Sequence, residues 1–257
     1  MPQIDKVAFF GDSYCFDTVT RKHHRGTETA FYPPDNTYLD IFAQRYNLEI
    51  VKRGTPAHGP HWMVHEFREW CKEQSQEYIN QTHFVFLWSD QTRQIMQNVG
   101  DKRDRGNKFE DEIHPGERSL PGPDTPYIQD PKYFDEKVRL AIELTWLYIK
   151  SDPEFFRQYT TCRDAHKFYL QQFGISNMQQ YHCFYHTAEF DNNCFAFEHN
   201  GETHNCLQQF AVSHSDYVRG ENQDLMPSFQ DHFNHFSPTG QFSMADVLSK
   251  KFEELNV

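Results

Sequence analysis

The stretch KVAFFGDSYCFD, residues 6 to 17, ends an apolar run in a Gly-Asp-Ser turn, and Ser13 offers a hydroxyl that a neighbouring base could turn into a nucleophile. A serine hydroxyl attacks a carbonyl only when a histidine takes its proton and a third group orients that histidine. The stretch SFQDHFNHFSPTGQF, far along the chain, offers such a pair, because Asp231 and His235 stand four apart. Ser13 as nucleophile, His235 as general base and Asp231 as its orienting carboxylate form a candidate acyl-transfer set. Tyr14, beside Ser13, is a candidate pocket residue, and Arg93 could hold an anionic group of a substrate. Plainer roles exist for the same residues. Gly-Asp-Ser closes many turns by local hydrogen bonds, and His235 stands just before Ser237 and Pro238, which suit the N-cap and first position of a helix.

Histidine is abundant, with 15 in the chain, and three groupings could bind a cation: His61 with His65, His182 with His186, and Cys183, Cys194, His199, His204 and Cys206. None has the His-Glu-x-x-His pattern or paired Cys-x-x-Cys knuckles, and the residue after His61 is Trp62. Ordinary buried histidines and thiols are expected there. No metal and no cofactor are assigned, with zinc at residues 183 to 206, or a metal-dependent hydrolase, as the alternative.

For Ser13 and His235 to meet, the fold must bring distant segments to one edge. IDKVAFF (4–10) reads as a buried strand ending at Gly11, YLDIFAQRYN (38–47) as a helix and EIVK (49–52) as a short strand. Gly54, Pro56 and Gly59 break the chain before HWMVHEFREWCKEQSQEYI (61–79), where Trp62, Val64, His65, Phe67, Trp70 and Cys71 predict one largely buried helix. HFVFLWS (83–89) makes a third strand. This alternation predicts parallel βαβ units and an α/β fold. Ligands in such sheets collect at the carboxyl ends of the strands, where Ser13 falls.

Residues 98–132, rich in Gly, Pro and charge, read as an inserted loop of lid or rim type. Two helical patterns follow over 133–172, one with Leu140, Ile142, Leu144, Leu147 and Ile149, the other with Phe156, Tyr159, Phe168 and Leu170 and started by Pro153. MQQYHCFYH (178–186) fits a fourth strand, 187–225 is a polar and mostly irregular insertion, and SPTGQFSMADVLSKKFEEL is an amphipathic helix. The whole of 1–257 is read as a single domain.

Bulk properties exclude several classes. The formal charge of −12 opposes binding to a nucleic-acid backbone, which needs a basic stripe. No run approaches the length of a membrane span, and the opening MPQIDKVAFFGDS lacks a signal-peptide pattern, so a cytoplasmic location on synthesis is expected. Six scattered cysteines fit free thiols better than a disulfide framework.

FFGDSYCFD and DHFNHFSPTG resemble the first and last motifs of the SGNH (GDSL-type) hydrolase superfamily. The resemblance implies a three-layer α/β/α sandwich with a mainly parallel, flavodoxin-like sheet, a Ser-His-Asp triad and hydrolysis of esters such as O-acetylated carbohydrates or acyl esters. It selects His235 over His232 as the base, because His-Phe-Ser-Pro-Thr-Gly matches the family's pattern after the histidine. It also implies oxyanion donors: the Ser13 amide, the amide of Gly54 in VKRGTPAHG, and a side chain from the third block. That block reads Leu87-Trp88-Ser89-Asp90 here, so Ser89 stands in for the family's asparagine. The family's Asp-x-x-His is lengthened by one residue. A similarity to GDSL-type proteins of marine bacterial viruses implies a second possibility, a non-catalytic binding or structural component of a larger assembly such as a virus particle, or a homo-oligomer.

Overall fold

The apolar runs of the sequence pair side by side in a computed structural model that describes residues 3–15, 37–54, 59–89, 93–95, 117–119, 140, 152–213 and 238–256. In chain order the described strands are β1 (Lys6–Phe10), β2 (Glu49–Lys52), β3 (Thr82–Trp88), β4 (Arg93–Ile95), β5 (Glu117–Ser119), β6 (Met178–His182), β7 (Phe197–His199) and β8 (Glu202–His204). The described helices are α1 (Tyr38–Tyr46), α2 (Pro60–Glu73), α3 (Gln76–Asn80), α4 (Asp152–Gln172), α5 (Tyr185–Phe190), α6 (Leu207–Ser213) and α7 (Pro238–Leu255).

Four strands form one parallel sheet in the order β2-β1-β3-β6, with Phe9 of β1 opposite Val85 of β3, and Trp88 of β3 opposite His182 of β6. Because strand side chains alternate, the sheet has two apolar faces. Val7, Phe9, Val85, Leu87 and Tyr181 pack toward Leu39 and Phe42 of α1 and Met244, Leu248 and Phe252 of α7. Ala8, Phe10, Phe84, Phe86 and Trp88 pack toward Met63, Phe67 and Cys71 of α2 and Tyr159, Cys162 and Leu170 of α4. Every residue of β3 is buried. Each large apolar side chain so buried contributes on the order of 2 kcal/mol, and helices on both faces are what realise it. The result is a three-layer α/β/α arrangement, within the α/β class that the strand and helix alternation predicts.

Local chemistry sets the boundaries. Thr37 caps α1 by accepting the Asp40 amide, and Asn47 closes it in the left-handed conformation at φ 52°. The single helix expected over 61–79 is two helices. Gln74 turns extended, and the Ser75 hydroxyl accepts the Tyr78 amide at 3.2 Å to start α3, so a serine cap wins over continuation. His65, assigned to the buried side, is exposed, and Met63 takes an inward position. The fourth strand stops at His182, and Phe184 becomes the N-cap residue of α5.

Residues 187–213 are more regular than expected, with α5, the antiparallel β7–β8 hairpin and α6. The hairpin turns through Asn200 and Gly201, both at positive φ, as a two-residue turn of this hand requires. Pro153 stands at the second residue of α4, whose Tyr159 and Leu170 are buried while Phe156 and Phe168 are exposed. Leu140 is helical and exposed. The remainder of the helix expected over 133–149 lies outside the described residues, as does the 98–132 insertion apart from β5, which pairs with β4.

A polar network crosses this core. His83 is buried in β3, where its Nδ1 donates to Asn177 Oδ1 at 2.6 Å and its Nε2 accepts from Gln179 Nε2 at 2.9 Å. That pattern assigns the proton to Nδ1. Gln179 also donates to the Leu248 carbonyl at 2.9 Å and accepts from the Tyr181 hydroxyl at 2.7 Å, fixing both ends of its amide. Burial pushes His83 down to about 4, against the opposing effect of its Asn177 hydrogen bond. His166, whose ring meets Phe86 edge-on at 4.3 Å between centroids, is pushed down to about 3 by burial and then by Arg163. Both are neutral in the folded chain near neutrality, whereas an unfolded histidine titrates near 6.5. Protonation therefore favours the unfolded chain as pH falls below about 6.5, by roughly 1 kcal/mol per pH unit for each ring until the folded values are reached. The urea midpoint should hold above that pH and decline steadily between pH 6.5 and about 4. A midpoint flat across this interval would contradict the assignment.

Candidate functional site

The carboxyl end of β1 runs into a turn built around a buried acid. Gly11, at φ 155°, has no room for a side chain, because a Cβ there would lie 2.6 Å from the Leu87 carbonyl oxygen. The chain then makes one 3-10 turn over Ser13–Cys15, closed by the Cys15 amide on the Asp12 carbonyl at 2.9 Å. Asp12, with no exposed surface, accepts the Tyr14 amide at 3.1 Å and the Ser89 hydroxyl at 2.7 Å. The Cys183 thiol points at the same carboxyl group from 3.7 Å. Ser89 follows β3 and Cys183 follows β6, so one side chain joins three strand ends. Thr187 adds a hydroxyl donor to the Ser89 carbonyl at 3.4 Å.

Sheet order makes this end the natural ligand position. The chain passes from β1 outward to β2 on one side and then to β3 on the other, so the crevice between the β1 and β3 ends is a topological switch point. Ser13 begins the turn on one side of it and Ser89 stands on the other. Of Ser13 and Arg93 only the backbone is described; Asp231 and His235 lie outside the described residues.

Gly54 and Ser89 lie beside the turn, with the Gly54 amide and the Ser89 hydroxyl engaged within it, and Tyr14 is packed in the core. Gly54 is buried against the turn, donating its amide to the Cys15 carbonyl at 3.1 Å, and a Cβ on it would lie 2.5 Å from both Cys15 Cβ and the Gly11 oxygen. Ser89 directs its hydroxyl to Asp12. Tyr14 is a core residue, its ring edge-on to Phe184 at 6.0 Å and its carbonyl accepting the Tyr38 hydroxyl at 2.5 Å. Burial, reinforced by Asp12, raises the Cys15 thiol well above the usual range, so this thiol stays protonated.

A second polar cluster lies on the other face of the sheet end. His182, the last residue of β6, meets Asp191 and Cys194 from the segment after α5 and Tyr159 from α4, and Arg163 of α4 donates to Asp191. Cys194 is exposed, whereas the other five cysteines are buried, and all six are free thiols. Burial, then Arg163, pushes His182 down to about 3. The groupings weighed from sequence are redistributed. His61 Nδ1 faces Cys162 Sγ at 3.0 Å, Cys183 turns to Asp12, and His204 stacks among Phe197 and Phe210. Asp191 had no sequence signal, since it joins His182 and Cys194 only through the turn that follows α5.

The class these observations define is a three-layer α/β/α protein with a parallel sheet in flavodoxin-like order and a buried-acid turn at its switch point. Comparison with known proteins finds no matching family model, no matching curated protein and no matching solved structure. Among the described residues, no helix is long and apolar enough to cross a membrane.

Removing the Asp12 carboxyl strands the Tyr14 amide and the Ser89 hydroxyl in a buried site. Asp12→Ala should therefore lose about 3 kcal/mol of stability, and Ser89→Ala, which removes one donor and leaves the acid its others, about 1 kcal/mol. Gly54→Ala forces backbone apart and should cost about 3 kcal/mol. Denaturant titration of the three variants checks this ranking. An Asp12→Ala protein as stable as wild type would show that the turn is held by something else.

Proposed function

We propose that the chain is a serine acyl hydrolase of SGNH type acting on an ester such as an O-acetylated carbohydrate or a simple acyl ester. The observation that carries the reading is the place of Ser13, at the start of a tight turn on the carboxyl end of β1 and at the switch point of the sheet. There, Ser13 Oγ attacks the ester carbonyl carbon while His235 takes the hydroxyl proton and Asp231 holds the imidazole. The same proton passes to the departing alcohol, and a water molecule, activated by His235, releases the acid and frees Ser13. The Ser13 amide is the first oxyanion donor. Gly54 and Ser89 join it only if substrate displaces the Cys15 carbonyl and the Asp12 carboxyl from them, so turnover on simple esters should be slow, by roughly 100-fold for one lost donor.

A second reading, a binding or structural protein that keeps the fold without the rate, draws on that same commitment of both donors within the turn. The insertions near 98–132 and 187–225 would then serve as contact surfaces, in a larger assembly such as a virus particle or a homo-oligomer.

Fluorophosphonate labelling and p-nitrophenyl acetate turnover of wild type and Ser13→Ala separate the two. The hydrolase reading expects labelling and activity in wild type and loss of both, by about 1000-fold in rate, in Ser13→Ala. Folded wild type that neither labels nor turns over would give the ground to the binding reading.

A further inference from the structure

His182 Nε2, Asp191 Oδ2 and Cys194 Sγ form a small triangle at the end of β6. The sulfur lies 3.2 Å from the carboxyl oxygen and 3.8 Å from the imidazole nitrogen, and nitrogen and oxygen are 3.5 Å apart. These edges are poor hydrogen bonds for the imidazole. The His182 side chain has no exposed surface, and among the described residues the nearest polar partner of its other nitrogen is the Tyr159 hydroxyl, also at 3.5 Å. An ordinary N–H···O bond is about 2.9 Å, and a buried ring lacking one is expensive.

The same edges suit coordination. Zinc takes sulfur at about 2.3 Å and nitrogen or oxygen at about 2.0–2.1 Å, which at tetrahedral angles places ligand atoms about 3.3–3.6 Å apart. A mixed nitrogen, oxygen and sulfur set also selects a borderline-soft ion over calcium or magnesium, which prefer oxygen alone. We propose that His182, Asp191 and Cys194 bind a zinc ion, with solvent at the fourth position. The exposure of Cys194 leaves that position open to water. On binding, the Cys194 thiol gives its proton to solvent, and thiolate and carboxylate together balance the two charges of the metal.

Arg163 and Tyr159 complete the surroundings. The guanidinium of Arg163 lies over the Phe195 ring at 4.2 Å and donates to Asp191 Oδ2 and, at 3.4 Å, to Cys194 Sγ. The Tyr159 hydroxyl donates to Asp191 Oδ2 at 3.2 Å. Both are the kind of outer contact that orients a ligating carboxylate and thiolate. The ion pins the segment after α5 to the end of β6, while Arg163 and Tyr159 tie the same segment to α4. This assignment is independent of the hydrolase reading. Its rival is an arrangement in which Arg163 alone is the cation shared by Asp191 and Cys194.

The test uses the untagged chain of residues 1–257, stripped with a chelator and desalted, then titrated with zinc against a chromophoric competitor and, separately, with cobalt. One zinc per chain with a dissociation constant of roughly micromolar or tighter is expected, together with a thiolate-to-cobalt charge-transfer band. Cys194→Ser, at an exposed position that tolerates the change, should abolish the band and weaken zinc by more than the roughly 10–100-fold typical of losing an outer contact. Asp191→Asn should weaken it as well. Absence of stoichiometric zinc in wild type would overturn the proposal and leave Arg163 as the cation. So would binding and a cobalt band that survive unchanged in Cys194→Ser, since the metal would then sit on other residues.

Discussion

The buried carboxyl group of Asp12 is the contact on which the upper end of the sheet depends. It receives an amide from its own turn, a hydroxyl from the end of β3 and a thiol from the end of β6. An acid without exposed surface is tolerable only when such donors surround it. Their requirement explains the neighbours: Gly11 and Gly54 are glycines because the turn sits where no Cβ fits, and Ser89 takes a side chain short enough to reach the acid. The position of the Ser13 backbone, one residue on from Asp12, follows from that packing.

The opposite half of the sheet is organised by a different polar device. His83, Asn177, Gln179 and Tyr181 hydrogen-bond in series, with one amide donor reaching the Leu248 carbonyl of α7. Each of these bonds has a defined donor and acceptor, and the network ties α7 to the sheet at Leu248. Between the two devices, on the face covered by α1 and α7, lie Val7, Phe9, Val85 and Leu87, while on the opposite face Phe67 meets Phe86 edge-on at 5.0 Å.

The parts of the fold legible in the sequence are those governed by short-range periodicity. The strands from KVAFF, EIVK and THFVFLW and the helices at 38–46 and 238–255 stand close to where pattern alone puts them, because burial on both faces of a parallel sheet writes continuous apolar runs. Ser75 is a fair cap residue, yet the apolar spacing runs on through it and by itself predicts one continuous helix. Asn200-Gly201 is a strong hairpin signal that the surrounding polar residues disguised. In the site, Gly54 and Ser89 are found beside the turn, but what their donors bond to depends on the Cys15 carbonyl and on Asp12. The cluster of His182, Asp191 and Cys194 is likewise made by tertiary folding, with Arg163 arriving from a helix that precedes all three.

Helix α1 is only nine residues long, and its inward face is completed by α7. Phe42 lies edge-on to Phe252, Arg45 pairs with Asp246, and the Tyr38 amide is received by Gln241, 203 positions away. A helix of that length is marginal alone in water. Its docking must wait for closure of a very large loop, an entropic cost that grows only slowly with length but is met early in any route that forms this face first. During synthesis, then, about 200 further residues must leave the ribosome after α1 before the Phe9 and Phe42 side of the sheet finds its cover. That interval, with half the core still wet, is when the nascent protein is most open to a chaperone or to association with another copy of itself.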